Sequence, residues 1–191
     1  MPDRISICNT ALGFLGVDPI SSFEDGSVQA DLCARVYEQC VREMLEDHPW
    51  NFAEATAELT KDAARIRPDF AYSYTLPVNY IAARFLMTAD GRQSRYPYRI
   101  SNEIKLCTDL DNAWLCYTMR VGEHAFRPLF VASLQHLVAS RLAGPLTEVD
   151  AKTAEHFQLH MTFLARARNR DSMQDSAEVF QTDALVAWHA G

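Results

Sequence analysis

Apolar residues near the start of the chain recur at helical spacing, at Ile5, Cys8, Leu12 and Leu15. Asp3 is placed to cap this helix over residues 4–15, and Gly16 to stop it. Residues 17–26 hold Pro19, Ser21, Ser22 and Gly26 and read as a loop. A second helix is predicted over 27–47. Its stripe runs Ala30, Cys33, Tyr37, Cys40 or Val41, Met44 and Leu45, with Asp31, Arg35, Glu38, Arg42 and Glu46 on the other face. Pro49 ends it, because a residue before proline is biased away from helical angles.

The period then shortens. Ala55, Ala57 and Leu59 alternate with Thr56, Glu58 and Thr60, and residues 60–69 read as a polar loop. Phe70–Leu76 and Tyr80–Met87 are β-prone runs around Pro77. Tyr96–Ile100, Glu103–Thr108 and Ala113–Val121 read as three strands of a small antiparallel meander, with turns at Ser101-Asn102 and at 109–112. From Phe126 the 3.6-residue period returns, over 126–143, until Gly144-Pro145 is expected to break it. A last helix is expected over 148–170, capped by Thr147, with the stripe Ala151, Ala154, Phe157, Met161 and Leu164. Helix–helix–strands–helix–helix is an α+β order. The expected architecture is a predominantly helical bundle with an inserted small antiparallel sheet. The first 173 residues form one domain, and residues 174–191 an extended C-terminal tail.

Composition changes this picture little. The 191 residues are 48% hydrophobic and 23% charged, an ordinary globular mixture. No apolar run approaches the roughly 18 residues of a membrane span, and Met1-Pro2-Asp3-Arg4 lacks the features of a secretory signal. Five cysteines without a CxxC pair read as buried thiols in a reducing compartment. Charge is uneven: residues 1–60 carry a net −8, residues 61–128 a net +3 and residues 129–191 a net −2. The whole chain, at −7, is not suited to gripping nucleic acid with its general surface.

Catalytic signatures are scarce. There is no Gly-rich phosphate loop and no GxSxG elbow. His156 and His160 are four apart, but no HExxH glutamate accompanies them, and they are expected to face solvent rather than to share a metal. Glu43, Glu46 and Asp47 read as a solvated acidic surface rather than a glycosidase pair. Arg166, Arg168 and Arg170 read as a basic helix end that complements the dipole, with contact to DNA or an acidic partner as the sharper reading. Trp50 and Phe52 read as packing anchors after the second helix. Phe180, Leu185, Val186 and Trp188 give the tail an apolar surface that something must cover.

Several segments together carry a family likeness: Ala11-Leu12 with Leu15-Gly16, Ile20-Ser21, Ala30-x-x-Cys33-x-x-x-Tyr37, Arg42-x-x-Leu45, His48-Pro49-Trp50-Asn51-Phe52-Ala53 and Tyr74-x-Leu76-Pro77-x-Asn79. In order and spacing, over about residues 4–170, the chain resembles the head-to-tail adaptors of short-tailed bacteriophages, the tail tubular protein A-like proteins. Asn79 stands where such proteins often have Asp. The resemblance implies a structural virion protein of the neck, assembled in the host cytoplasm, with no catalytic residues, cofactor, metal or membrane contact. It implies a ring, usually of twelve subunits, beneath the portal protein. That ring extends the DNA channel for ejection without sequence-specific binding and presents a platform to the tail nozzle, a tail tubular protein B-like protein. Trp50, Phe52, Leu76 and Pro77 carry the structural motif, and the tail residues Phe180, Leu185, Val186 and Trp188 dock on the portal. The alternatives are a peptidoglycan hydrolase using Glu43 and Glu46, or a small bacterial helical binding module.

Overall fold

A computed structural model describes residues 2–188 except 103 and 148, with only the helical backbone described for 175–188. The protein is α+β, with helices and two small antiparallel sheets. It divides into two compact units, one of residues 1–44 and 122–191, the other of residues 45–121.

The first unit is helical. Helix α1 spans Arg4–Leu15 and is closed at both ends as its sequence dictates. Asp3 accepts from the Ser6 amide at 2.9 Å, and the Ser6 hydroxyl accepts from the Asp3 amide at 3.0 Å, a reciprocal cap. Gly16 then takes φ 75°, the left-handed conformation that glycine adopts most readily because it has no Cβ. Its apolar side buries Ile7, Cys8, Ala11, Leu12 and Leu15. The loop that follows is pinned back on α1. Asn9 accepts from the Ile20 amide at 2.8 Å and donates to the Ile20 carbonyl at 2.9 Å.

Helix α2 spans Val28–Asp47. Ser27 caps it, its hydroxyl accepting from the Ala30 amide at 3.2 Å. Ala30, Cys33, Tyr37, Cys40, Val41, Met44 and Leu45 are all buried, which is the predicted stripe. Glu123 ties this unit together, accepting from the Tyr37 hydroxyl and from Arg4 Nε, each at 3.2 Å.

Helix α3 spans Pro128–Thr147, following a short 3-10 turn at Glu123–Ala125. It buries Phe130, Leu134, Leu137, Val138 and Leu142 together with Ser133 and Ser140. The expected break at Gly144-Pro145 does not occur, and the helix runs through Pro145 to Thr147. Proline this close to the end removes one amide donor only, the one that would reach the Arg141 carbonyl. The last turn also carries a bond from the Thr147 hydroxyl to the Ala143 carbonyl at 2.7 Å. Helix α4 spans Asp150–Trp188, well past residue 170, so the segment expected as an extended tail has helical backbone as far as Trp188.

The second unit holds strands β1 (Glu54–Glu58), β2 (Thr60–Lys61), β3 (Tyr72–Thr75), β4 (Tyr80–Met87), β5 (Tyr98–Ser101), β6 (Lys105–Thr108) and β7 (Trp114–Met119). One sheet has the order β1-β7-β4 and the other β2-β3-β6-β5. The predicted three-strand meander is therefore corrected. β5 and β6 form a hairpin in one sheet, whereas β7 leaves for the other and pairs between β1 and β4. Local alternation cannot show such a switch, because it is made by the turn at 109–112, where Asn112 takes φ 51°. One apolar cluster contains residues of both sheets, including Tyr74, Leu86, Leu106, Leu115 and Tyr117. β2 occupies part of the expected loop at 60–69.

Candidate functional site

The residues singled out from sequence fall into separate places. Trp50 is 1% exposed, with His48 edge-on at 4.7 Å and Phe52 tilted at 5.6 Å between ring centres. Its carbonyl accepts from Arg84 Nη2 at 2.6 Å, while Arg84 Nη1 pairs with Glu54 and Nε reaches the Thr118 hydroxyl at 3.3 Å. Leu76 is buried and Pro77 half-buried at the start of the turn into β4, where the Tyr80 amide donates to the Pro77 carbonyl at 3.1 Å. Asn79 works here as an amide. Its Oδ1 accepts from the Tyr117 hydroxyl at 3.1 Å, and its carbonyl accepts from the Arg120 amide at 2.8 Å.

The tail side chains Phe180, Leu185, Val186 and Trp188 lie outside the described residues. Arg166 and Arg170 are exposed, and Arg168 is half-buried. They do not form the end of a helix, since α4 continues past them, so the dipole account of this basic cluster is withdrawn. Arg166 sits 5.7 Å from the Phe163 ring centre. Glu43 pairs with Arg141 at 3.0 Å, both half-exposed, and Glu46 and Asp47 are exposed.

All five cysteines are buried free thiols. The Cys8 thiol is held above the ordinary thiol range by its hydrogen bond with Cys33 and by burial. Burial pushes the Cys40 thiol up to about 12. Such groups stay protonated and unreactive at neutral pH.

The largest departure from the sequence reading lies on α4. His156 and His160, expected at the surface, are 7% and 5% exposed, whereas Phe157 and Met161 of the predicted stripe are 43% and 44% exposed. The buried edge of α4 is a polar ladder at four-residue spacing. Lys152 donates to the Leu15 carbonyl at 2.8 Å, His156 Nδ1 meets His136 Nδ1 at 3.2 Å, and His160 Nδ1 lies 2.9 Å from Ser133 Oγ. The Ser133 hydroxyl donates in return to the His160 carbonyl at 3.1 Å. Burial lowers the pKa of His160 and of His136, so both resist protonation.

Ordinary hydrophobicity puts these residues outside, and they are inside because α3 offers polar partners at the same level. The available signal was the pairing of two patterns: Lys152, His156 and His160 four apart on one helix, Ser133 and His136 three apart on another. The two α4 histidines turn Nδ1 to different partners, and among the described residues no group of three metal-ligating side chains occurs. Among the described residues no helix is long and apolar enough to cross a membrane. No protein-family model matches the chain, and no curated protein matches it.

Proposed function

We propose that this protein is a head-to-tail adaptor of a short-tailed bacteriophage, a structural component whose copies form a ring beneath the portal. The observation that carries the reading is the chain order of the two units. Helices from residues 1–44 and 122–191 make one unit, and both sheets are inserted between them in residues 45–121. That is the arrangement the resemblance implies, with the helices as a bundle in the ring wall and the strands toward the tail nozzle. The residues behind the resemblance also serve as scaffold: Gly16 closes α1, Cys33 and Tyr37 are in the helical core, and Trp50, Tyr74 and Leu76 are buried in the β-containing unit. A net charge of −7 suits a channel that lets DNA pass without holding it.

In this reading residues 174–191 are the portal-docking element, through Phe180, Leu185, Val186 and Trp188. Repetition around a ring would turn a weak single contact into a durable joint. The test is size-exclusion chromatography of the full chain and of a chain lacking residues 174–191, each alone and mixed with portal rings. The full chain is expected to co-elute with portal and the truncated chain to elute alone, still folded. Failure of the full chain to associate would overturn the adaptor reading. Undiminished binding by the truncated chain would move docking to the helical wall.

A further inference from the structure

We propose that His136 and His156 form an acid-operated latch between α3 and α4, closed while the two rings share a hydrogen-bonded proton and opened when both become imidazolium. The geometry is that of rings meeting edge to edge. Their nitrogens are 3.2 Å apart, their centres 5.4 Å apart, and their planes within 20°. The excess of the centre separation over the nitrogen separation is about twice the distance from an imidazole centre to its nitrogen. The two Nδ1 atoms therefore point nearly at each other.

That contact requires one Nδ1–H and one Nδ1 lone pair. In the neutral pair the accepting ring carries its own proton on Nε2. A first added proton goes to the Nε2 of the donor ring and leaves the N–H···N bond intact, with a charge now assisting it. A second added proton has only the accepting Nδ1 left to occupy. It replaces the lone pair with a second N–H, and two cations then face each other across the bond.

The groups stacked on the pair are aromatic rings rather than carboxylates, and His136 is itself only partly buried. From α1, Phe14 stacks on His136 at 4.7 Å and on His156 at 5.8 Å, and from α4 Phe163 stacks on His136 at 5.4 Å. The charged and titratable groups acting on His136 besides His156 are Glu155 and His160 on α4, and His160 in turn feels Glu43 on α2 and Arg141 on α3. Of these, Glu155 favours charge on His136, while His160 opposes it. Lys152 is engaged by the Leu15 carbonyl, and Arg141 by Glu43. Burial first, then the neighbouring His156, lowers the His136 pKa below the ordinary histidine value. An unfolded histidine takes its proton at about pH 6.5. His136 resists its proton in the folded chain, so the unfolded state binds more protons, and stability present above pH ~6.5 is lost as the pH falls.

The test uses the full chain, its His156→Gln variant and its His160→Gln variant, unfolded by urea between pH 8 and pH 5. Glutamine keeps a hydrogen-bonding partner for His136 but cannot accept the second proton. Below about pH 6 the folding constant of the wild-type chain is expected to fall up to about tenfold more per pH unit than that of His156→Gln. His160→Gln should retain this steep fall. Parallel curves for the wild-type chain and His156→Gln would overturn the latch. Ring-nitrogen NMR of the wild-type chain decides independently of whether a variant folds. The pair should take up one proton while the N–H···N contact persists, and uptake of two with that contact intact would overturn the proposal.

Discussion

Arg84, on β4, donates from Nη2 to the carbonyl oxygen of Trp50 at 2.6 Å, holding the chain where it leaves α2 and enters β1. The arginine side chain is only 10% exposed and also reaches Glu54 and Thr118. Hydrogen bonds to a charged donor contribute about 1.5–3 kcal/mol. The Trp50 carbonyl also accepts from the Ala53 amide at 3.0 Å, so it keeps one donor when Arg84 is removed. Arg84→Met, which keeps the aliphatic stem, is expected to cost about 2–3 kcal/mol in urea unfolding. A loss within about 0.5 kcal/mol would mean that this contact does not hold the elbow.

Trp50 itself is a large, fully buried side chain. Trp50→Ala should cost about 3–5 kcal/mol, the range for removing a core aromatic. A loss below about 1 kcal/mol would place the indole at a surface.

The thiols give a kinetic prediction. Cys8, Cys33 and Cys40 lie in the helical unit's core, and Cys107 and Cys116 are buried in strands. A thiol reagent at neutral pH should modify none of them quickly in the native protein and all of them after denaturation. Rapid native labelling of all five would contradict the core assignment.

Asp62 accepts from Lys105 Nζ and from the Thr75 hydroxyl, each at 2.8 Å, and the hydrogen bond from Lys105 lowers its pKa below the ordinary carboxylate value. A carboxylate with a depressed folded pKa adds stability above its unfolded value of about 3.9, and loses it as the pH falls through the folded value. Asp62→Asn should therefore destabilise the protein at pH 7 and flatten the acid limb of its stability curve. An unchanged acid limb would show that the pair contributes nothing.

Much of the fold was legible in the residues. Asp3 and Gly16 bracket α1, and the Ala30-to-Leu45 stripe is the buried side of α2, because local capping chemistry and one dominant apolar face determined both. The destination of β7 was not legible, since pairing partners are set by a turn and not by alternation. Nor was the helix through Pro145, which lies two residues from its end, where the missing amide costs one bond only. Of the expected α4 stripe Leu164 is buried, but Phe157 and Met161 are exposed, and His156 and His160 are buried with partners on α3, a relationship between two helices that neither pattern contains alone. The apolar tail side chains Phe180, Leu185, Val186 and Trp188 are conspicuous in sequence and lie outside the described residues.

The adaptor account is tested most directly by electron micrographs of the full chain mixed with portal rings. It predicts a second ring seated coaxially on one face of the portal, with an open channel continuing through both. Bare portal rings at saturating protein concentration would contradict it.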